Sequence, residues 1–220
     1  MTDHFTNATF DFLCDLRANN ARGWFDAHRA VYTSEVLAPL IALVEALAEP
    51  MLDIDSEFVV TPAIGKTISR IYRDTRFSRD KSPFRAAMWI TFKRAGAGWE
   101  DKPGYYCEIT PEGYGFGMGL YAPTRETMDA FRAVLETHPA AFRAVLAGLE
   151  DFQIGGASYK RPLNRAIPAE WQPWYQRKSM YWYTSGPVDA RLQSAAFAPY
   201  LAAQFARLAP AYSFLQTLRG

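Results

Sequence analysis

Residues 104–120 read GYYCEITPEGYGFGMGL, and this stretch decides the fold class. Two short β-type runs, Gly104–Thr110 and Tyr114–Leu120, flank Pro111-Glu112-Gly113, a loop of hairpin length. In the second run Gly115, Gly117 and Gly119 alternate with Tyr114, Phe116, Met118 and Leu120. One face of that strand therefore carries no side chains, so a helix or a ligand can approach its backbone closely.

Similar runs bounded by Pro and Gly lie upstream at 57–61, 66–73 and 87–93, and Met180–Thr184 offers a further strand. Helical patterns enclose them. Thr6 or Asn7 can cap a helix with Phe10, Leu13 and Leu16 on one face. A second runs from Trp24 to Leu47 through Phe25, His28, Val31, Tyr32, Val36, Leu40 and Val44, and Pro39 should kink or restart it. Thr124 and Thr137 can cap two middle helices. Leu201, Phe205, Leu208, Tyr212 and Leu215 form the seam of a last one. The pattern predicts an α+β fold: a single domain over 1–220, with a central antiparallel sheet from about 57 to 121 flanked by N-terminal, middle and C-terminal helices.

Composition excludes several classes of function. At 220 residues, 49% hydrophobic and 15% aromatic, the chain is neither disordered nor of low complexity. Its 24 basic and 23 acidic residues nearly cancel, which argues against nucleic acid or a membrane surface as partner. The longest apolar run, Val36–Val44, is far short of a span. The opening Met-Thr-Asp-His-Phe lacks the features of a signal peptide. Cys14 and Cys107, both expected in the core, cannot build a disulfide framework, so a reducing cytoplasm is expected. His4, His28 and His138 are scattered, and neither CxxC nor HExxH occurs, so neither metal nor cofactor is expected. No GxSxG or phosphate loop is present either.

The balanced total hides one local excess. KTISRIYRDTRFSRDKSPFR, residues 66–85, holds seven basic residues against two acidic ones, a net +5. Read as a strand, its first half places Arg70 and Tyr72 on one face and Arg73 on the other. Arginines on both faces of an apolar strand need acceptors, so Arg70, Arg73 and Arg76 should be partly buried and paired. Asp74, Asp80 or a distant carboxylate such as Glu108 can take them internally. Alternatively their guanidinium forks hold a phosphate or carboxylate ligand, with Ser78 and Lys81 as nearby donors. Asp74 and Asp80 are weak candidates for a catalytic base, because adjacent positive charge lowers a carboxylate pKa.

RIYRDTRFSRDKSPFR, residues 70–85, resembles the signature of the domain of unknown function 2461 family, found in bacteria and fungi. Asn19-Asn20-Ala-Arg22-Gly-Trp24-Phe25 resembles its NNxRxWF opening, and Tyr159-Lys160-Arg161-Pro162 its LKR-Pro motif. Gly104-Tyr105-Tyr106 and Gly119–Pro123 are similar to its strand segments, so the likeness covers nearly the whole chain. Where the family often carries a His-Pro pair after LKR-Pro, this chain has Leu163–Pro168 and Trp171-Gln-Pro173. The resemblance implies boundaries and candidate residues, not a reaction.

The sequence thus leads to a cytosolic protein that binds a small anion at Arg70–Lys81. The ligand-binding candidates are Asn20, Arg22, Trp24, Arg70, Tyr72, Arg73, Arg76, Ser78, Lys81, Lys160 and Arg161. Arg22 and Arg73 or Arg76 are expected to line one pocket, with Trp24 beneath. The competing reading is a non-catalytic interaction module with a structural Arg/Asp network, its partner reading the aromatic stretch 171–183. The sequence names no protein partner and leaves turnover open.

Overall fold

The computed structural model describes residues 3–218. It has seven helices and one antiparallel sheet, an α+β fold. The helices are α1 (Asn7–Ala18), α2 (Arg22–Ala27), α3 (Arg29–Ile54), α4 (Arg125–Thr137), α5 (Pro139–Leu146), α6 (Gln172–Tyr175) and α7 (Phe197–Thr217). The strands are β1 (Met88–Phe92), β2 (Pro103–Thr110), β3 (Gly113–Leu120), β4 (Gln153–Gly155) and β5 (Met180–Pro187), in the order β1-β2-β3-β5-β4. The chain forms two compact units. Unit 1 comprises residues up to Phe92 with Tyr106–Phe116 and Ser185–Ala203; unit 2 comprises Lys93–Tyr105, Gly117–Thr184 and the chain from Gln204 onward.

In unit 1, α1 and α3 each lay one face against the core. Leu13, Leu16, Val36, Leu40, Val44 and Leu47 are buried on their inward faces. Cys14, one helical step from Leu13, is exposed, contrary to its expected core position. Helix α3 is long and apolar enough to cross a membrane by length and composition; its Leu40, Val44, Leu47 and Met51 are spent on this core. Pro39 does not break it. Proline has no N–H to offer the carbonyl four residues back, and the backbone widens to a π turn over Tyr32–Leu37. The Glu35 carbonyl takes its hydrogen bond from the Thr9 hydroxyl instead, at 2.6 Å. Thr9 is fully buried and its Oγ1 also accepts from the Thr6 N–H at 3.1 Å, so one threonine joins the start of α1 to the π turn.

The sheet starts later than the sequence pattern suggests. Residues 57–61 and 66–73 form no continuous strand: a turn runs through Gly65–Thr67, and Ile68 and Tyr72 make isolated bridges to Ile90 and Phe84. Pro62, Gly65 and charge on both faces prevent a continuous strand there. The Ser69 N–H donates to the Trp89 carbonyl, whereas the Arg73 N–H donates to Pro83 and the Arg85 N–H to Ile71. The chain thus doubles back on itself and closes a loop over residues 74–82.

In unit 2, Phe131, Phe142, Phe205 and Leu208 are buried. Trp171, Trp174, Tyr175 and Trp182 join them, so the aromatics of 171–183 mostly pin down an irregular segment; Phe142 meets Trp174 edge-on at 4.9 Å. Arg132 is buried, with its guanidinium donating to the Tyr175 and Arg177 carbonyls and to Asp129. The neighbour that exploits Gly119 is a strand, neither a helix nor a ligand. A Cβ added there would lie 2.4 Å from the Met180 carbonyl oxygen and 2.4 Å from the Tyr181 Cα. Gly119→Val should therefore destabilise the protein by about 2–3 kcal/mol through overpacking, a fall in Tm of roughly 4–12 °C for a chain of this size. An unchanged melting curve would show that β3 and β5 do not approach this closely.

Candidate functional site

A cleft of unit 1 has a volume of about 490 Å³. Arg17 and Asn20 line it from the end of α1, Arg73, Asp80 and Ser82 from the 74–82 loop and its base, Phe84–Ala87 from the returning chain, and Thr110-Pro111-Glu112 from the β2–β3 turn. Its architecture follows from one hydrogen-bonding requirement. At the loop base the peptide groups of Arg73 and Arg85 face the opposite chain, leaving the N–H and C=O of Phe84 pointing outward. Buried backbone groups need partners. The Asn20 carboxamide supplies both: its Nδ2 donates to the Phe84 carbonyl and its Oδ1 accepts from the Phe84 N–H, each at 3.0 Å. Phe84 is thereby seated on α2, where its ring stacks on Phe25 at 4.4 Å between centroids.

Two ion pairs stand in the cleft. Arg17 donates to Glu112 at 2.5 Å, joining α1 to the β2–β3 turn. Arg73, half-buried, pairs with Asp80. Asp80 also accepts from the Ser82 hydroxyl at 2.6 Å and the Ser82 N–H at 2.9 Å. Those serine bonds first, and Arg73 next, hold its carboxyl well below the usual range. The Arg17 guanidinium lowers Glu112 in the same way. Arg85 differs. Its guanidinium lies over the Trp89 ring, 4.6 Å from the centroid, and its one hydrogen bond is a long 3.5 Å contact to the Arg70 carbonyl. Among the described residues it has no carboxylate partner. The stacking fixes a planar, permanently charged fork while leaving its edge N–H groups free to donate.

The structure brings together Asn20, Arg73 and Asp80 of the expected residues, and adds Arg17, Ser82, Phe84, Arg85 and Glu112. The others lie outside the cleft lining. Arg22 is exposed. Trp24 stacks on His28 at 4.1 Å and packs against Phe12, so it is no wall of the cleft. Tyr72 is half-exposed and covers Phe84 at 5.1 Å. Arg76 forms a two-pronged pair with Asp74 in solvent, at 3.0 and 2.7 Å. Lys81 donates to the Thr75 carbonyl and Ser78 faces Arg73. Arg70 is exposed and, among the described residues, has no acceptor, contrary to the expectation of burial and pairing: the 66–73 segment is not a two-sided strand, so its side chain reaches water. Glu108 takes no arginine, and partial burial pushes its carboxyl up. Lys160 and Arg161 belong to unit 2 and are exposed. Arg85 was within reach of sequence reasoning, being part of the basic stretch; the Arg17–Glu112 pair spans 95 positions with no local signal.

Residues 8–214 match the family model described as a conserved hypothetical protein (DUF2461). The chain belongs to this family. No curated protein matches it. In this DUF2461 chain the two motif-like stretches of unit 1, Asn19–Phe25 and Arg70–Arg85, meet through the Asn20–Phe84 bonds and the Phe25–Phe84 stack. Among the described residues no three His, Cys, Asp or Glu side chains converge to hold a metal.

Asp74 and Asp80 are ill-suited to base catalysis at neutral pH, because a carboxylate stabilised in its charged form holds a proton weakly. The Arg76 side chain and then its N–H bring Asp74 from the usual 3.8 to about 2. A depressed folded-state pKa contributes stability that is complete above the unfolded value near 4 and is lost as pH falls toward 2. A carboxyl NMR titration should place the Asp74 midpoint near 2 and move it toward 3.8 in Arg76→Gln. A wild-type midpoint at 3.8 would show that the pair does not persist in solution.

Proposed function

We propose that this protein binds a small carboxylate- or phosphate-bearing ligand in the Arg17–Arg73–Arg85 cleft, with Arg85 as the principal receptor. The observation that carries the reading is the Arg85 guanidinium, set over the Trp89 ring at the cleft with no carboxylate at ion-pair distance among the described residues. A guanidinium in that state is undercompensated, and an oxyanion offers it two parallel charge-assisted hydrogen bonds. Arg17 and Arg73 supply further positive potential, although each already holds a carboxylate. Asn20 serves as a positioning residue, since both ends of its carboxamide are committed to Phe84. The reading assigns binding and no reaction. A cytoplasmic setting fits the two free cysteines, Cys14 and Cys107.

A second reading, a non-catalytic protein-interaction module, draws on Phe77, which is 95% exposed in the 74–82 loop beside Arg76. Within the aromatic stretch 171–183, Trp171, Trp174, Tyr175 and Trp182 are buried and offer a partner little surface, leaving only the half-buried Tyr181 and Tyr183.

Thermal unfolding at constant ionic strength, with chloride exchanged for inorganic phosphate or benzoate, separates the two. At a hundredfold excess over Kd a bound anion stabilises by about 2.7 kcal/mol, a rise in Tm of roughly 5–10 °C here. The rise should saturate with concentration and vanish in Arg85→Gln. No saturable rise, or one undiminished in Arg85→Gln, would contradict the anion site and return the arginines to a structural role.

A further inference from the structure

We infer that the ligand of this cleft is an organic monoanion: one carboxylate on an apolar body, rather than inorganic phosphate or a polyanion. The inference rests on the anion reading of the same cleft and adds the charge and shape of what enters it. Three arginines and two carboxylates line the cleft, and geometry pairs four of them, Arg17 with Glu112 and Arg73 with Asp80. One guanidinium, Arg85, remains without a carboxylate at ion-pair distance, Asp74 feeling its charge only from further off. A single negative charge neutralises it. A second negative group on the same ligand would meet Asp80 or Glu112, both kept ionised by their own hydrogen bonds. Like charges brought together repel, so the two acids select against polyanions.

Size and lining argue for the apolar body. A volume of about 490 Å³ falls within the ~300–1,000 Å³ of organic-ligand sites, and a lone inorganic anion would leave most of it to water. Beyond the charged groups the wall includes Ala86, Ala87 and Pro111, small or apolar groups with no side-chain hydrogen bonds to offer, beside the polar Asn20, Ser82 and Thr110. Such a surface gains from covering a ring or an alkyl chain.

Calorimetric titration at pH 7 and fixed ionic strength tests this with a matched set of probes: benzoate, isophthalate and acetate. Benzoate carries one charge and a ring, isophthalate two charges on the same ring, and acetate the charge with almost no body. Benzoate should bind at least tenfold more tightly than either of the others, and its binding should be lost in Arg85→Gln. Glu112→Gln, which removes one of the two repelling acids and also frees Arg17, should raise the affinity for isophthalate at least tenfold more than that for benzoate. Tighter binding of isophthalate than benzoate, still dependent on Arg85, would leave the anion site standing and overturn the monoanion. Equal affinities for acetate and benzoate would overturn the apolar body. No Arg85-dependent binding of any probe would remove the anion site itself, and this inference with it.

Discussion

The two hydrogen bonds between the Asn20 carboxamide and the Phe84 peptide are the constraint on which the cleft depends. They give the outward edge of the loop base the partners that a neighbouring strand would otherwise supply. Everything downstream of Phe84 is set by them. The ring is held on Phe25, Arg85 is turned onto Trp89, and Ala86 and Ala87 become the cleft wall. A carboxamide is suited to this task because it holds one donor and one acceptor side by side, matching a peptide group. Aspartate at position 20 would lose the donor, and serine would lack the span.

The same economy governs the arginines. A basic stretch of this density cannot form a half-buried strand unless every guanidinium finds an acceptor. The chain resolves the conflict by leaving the sheet: past Ile71 it bends into a loop whose carboxylates, Asp74 and Asp80, take Arg76 and Arg73. Arg70 is released to solvent, and Arg85 is left with an aromatic face in place of a counter-ion. A guanidinium over an indole loses little of its donor capacity, which favours the cleft arginine without an ion-paired carboxylate as the receptor in the proposed binding mode.

Much of the fold was legible because it is written in local periodicity. The 104–120 hairpin, the inward face of α1 and the Leu201–Leu215 seam are all found where their spacing places them. Residues 57–73 were misjudged as strands because alternation registers apolar positions but not the bridges that Pro62 and Gly65 interrupt. Gly119 was correctly seen as a site of close approach, yet the approaching element is β5, which no short-range pattern announces. Within the cleft, Asn20, Arg73 and Asp80 could be singled out from residue type and neighbourhood. Arg17 and Glu112 could not, because they meet only after the hairpin has been brought to the end of α1. That Arg85 is the unpaired member is likewise a property of three-dimensional pairing, invisible to a charge count.

The proposed binding mode makes Arg85, alone among the cleft arginines, the receptor of the anion. The most direct measurement is the NMR response of the arginine Nε–Hε signals during titration with benzoate at constant ionic strength. The Arg85 signal should move along a saturating curve, with Arg17 and Arg73 following in smaller steps, while Arg22 and Arg161 stay fixed. Equal, non-saturating drifts of all five signals, or an unmoved Arg85, would contradict it.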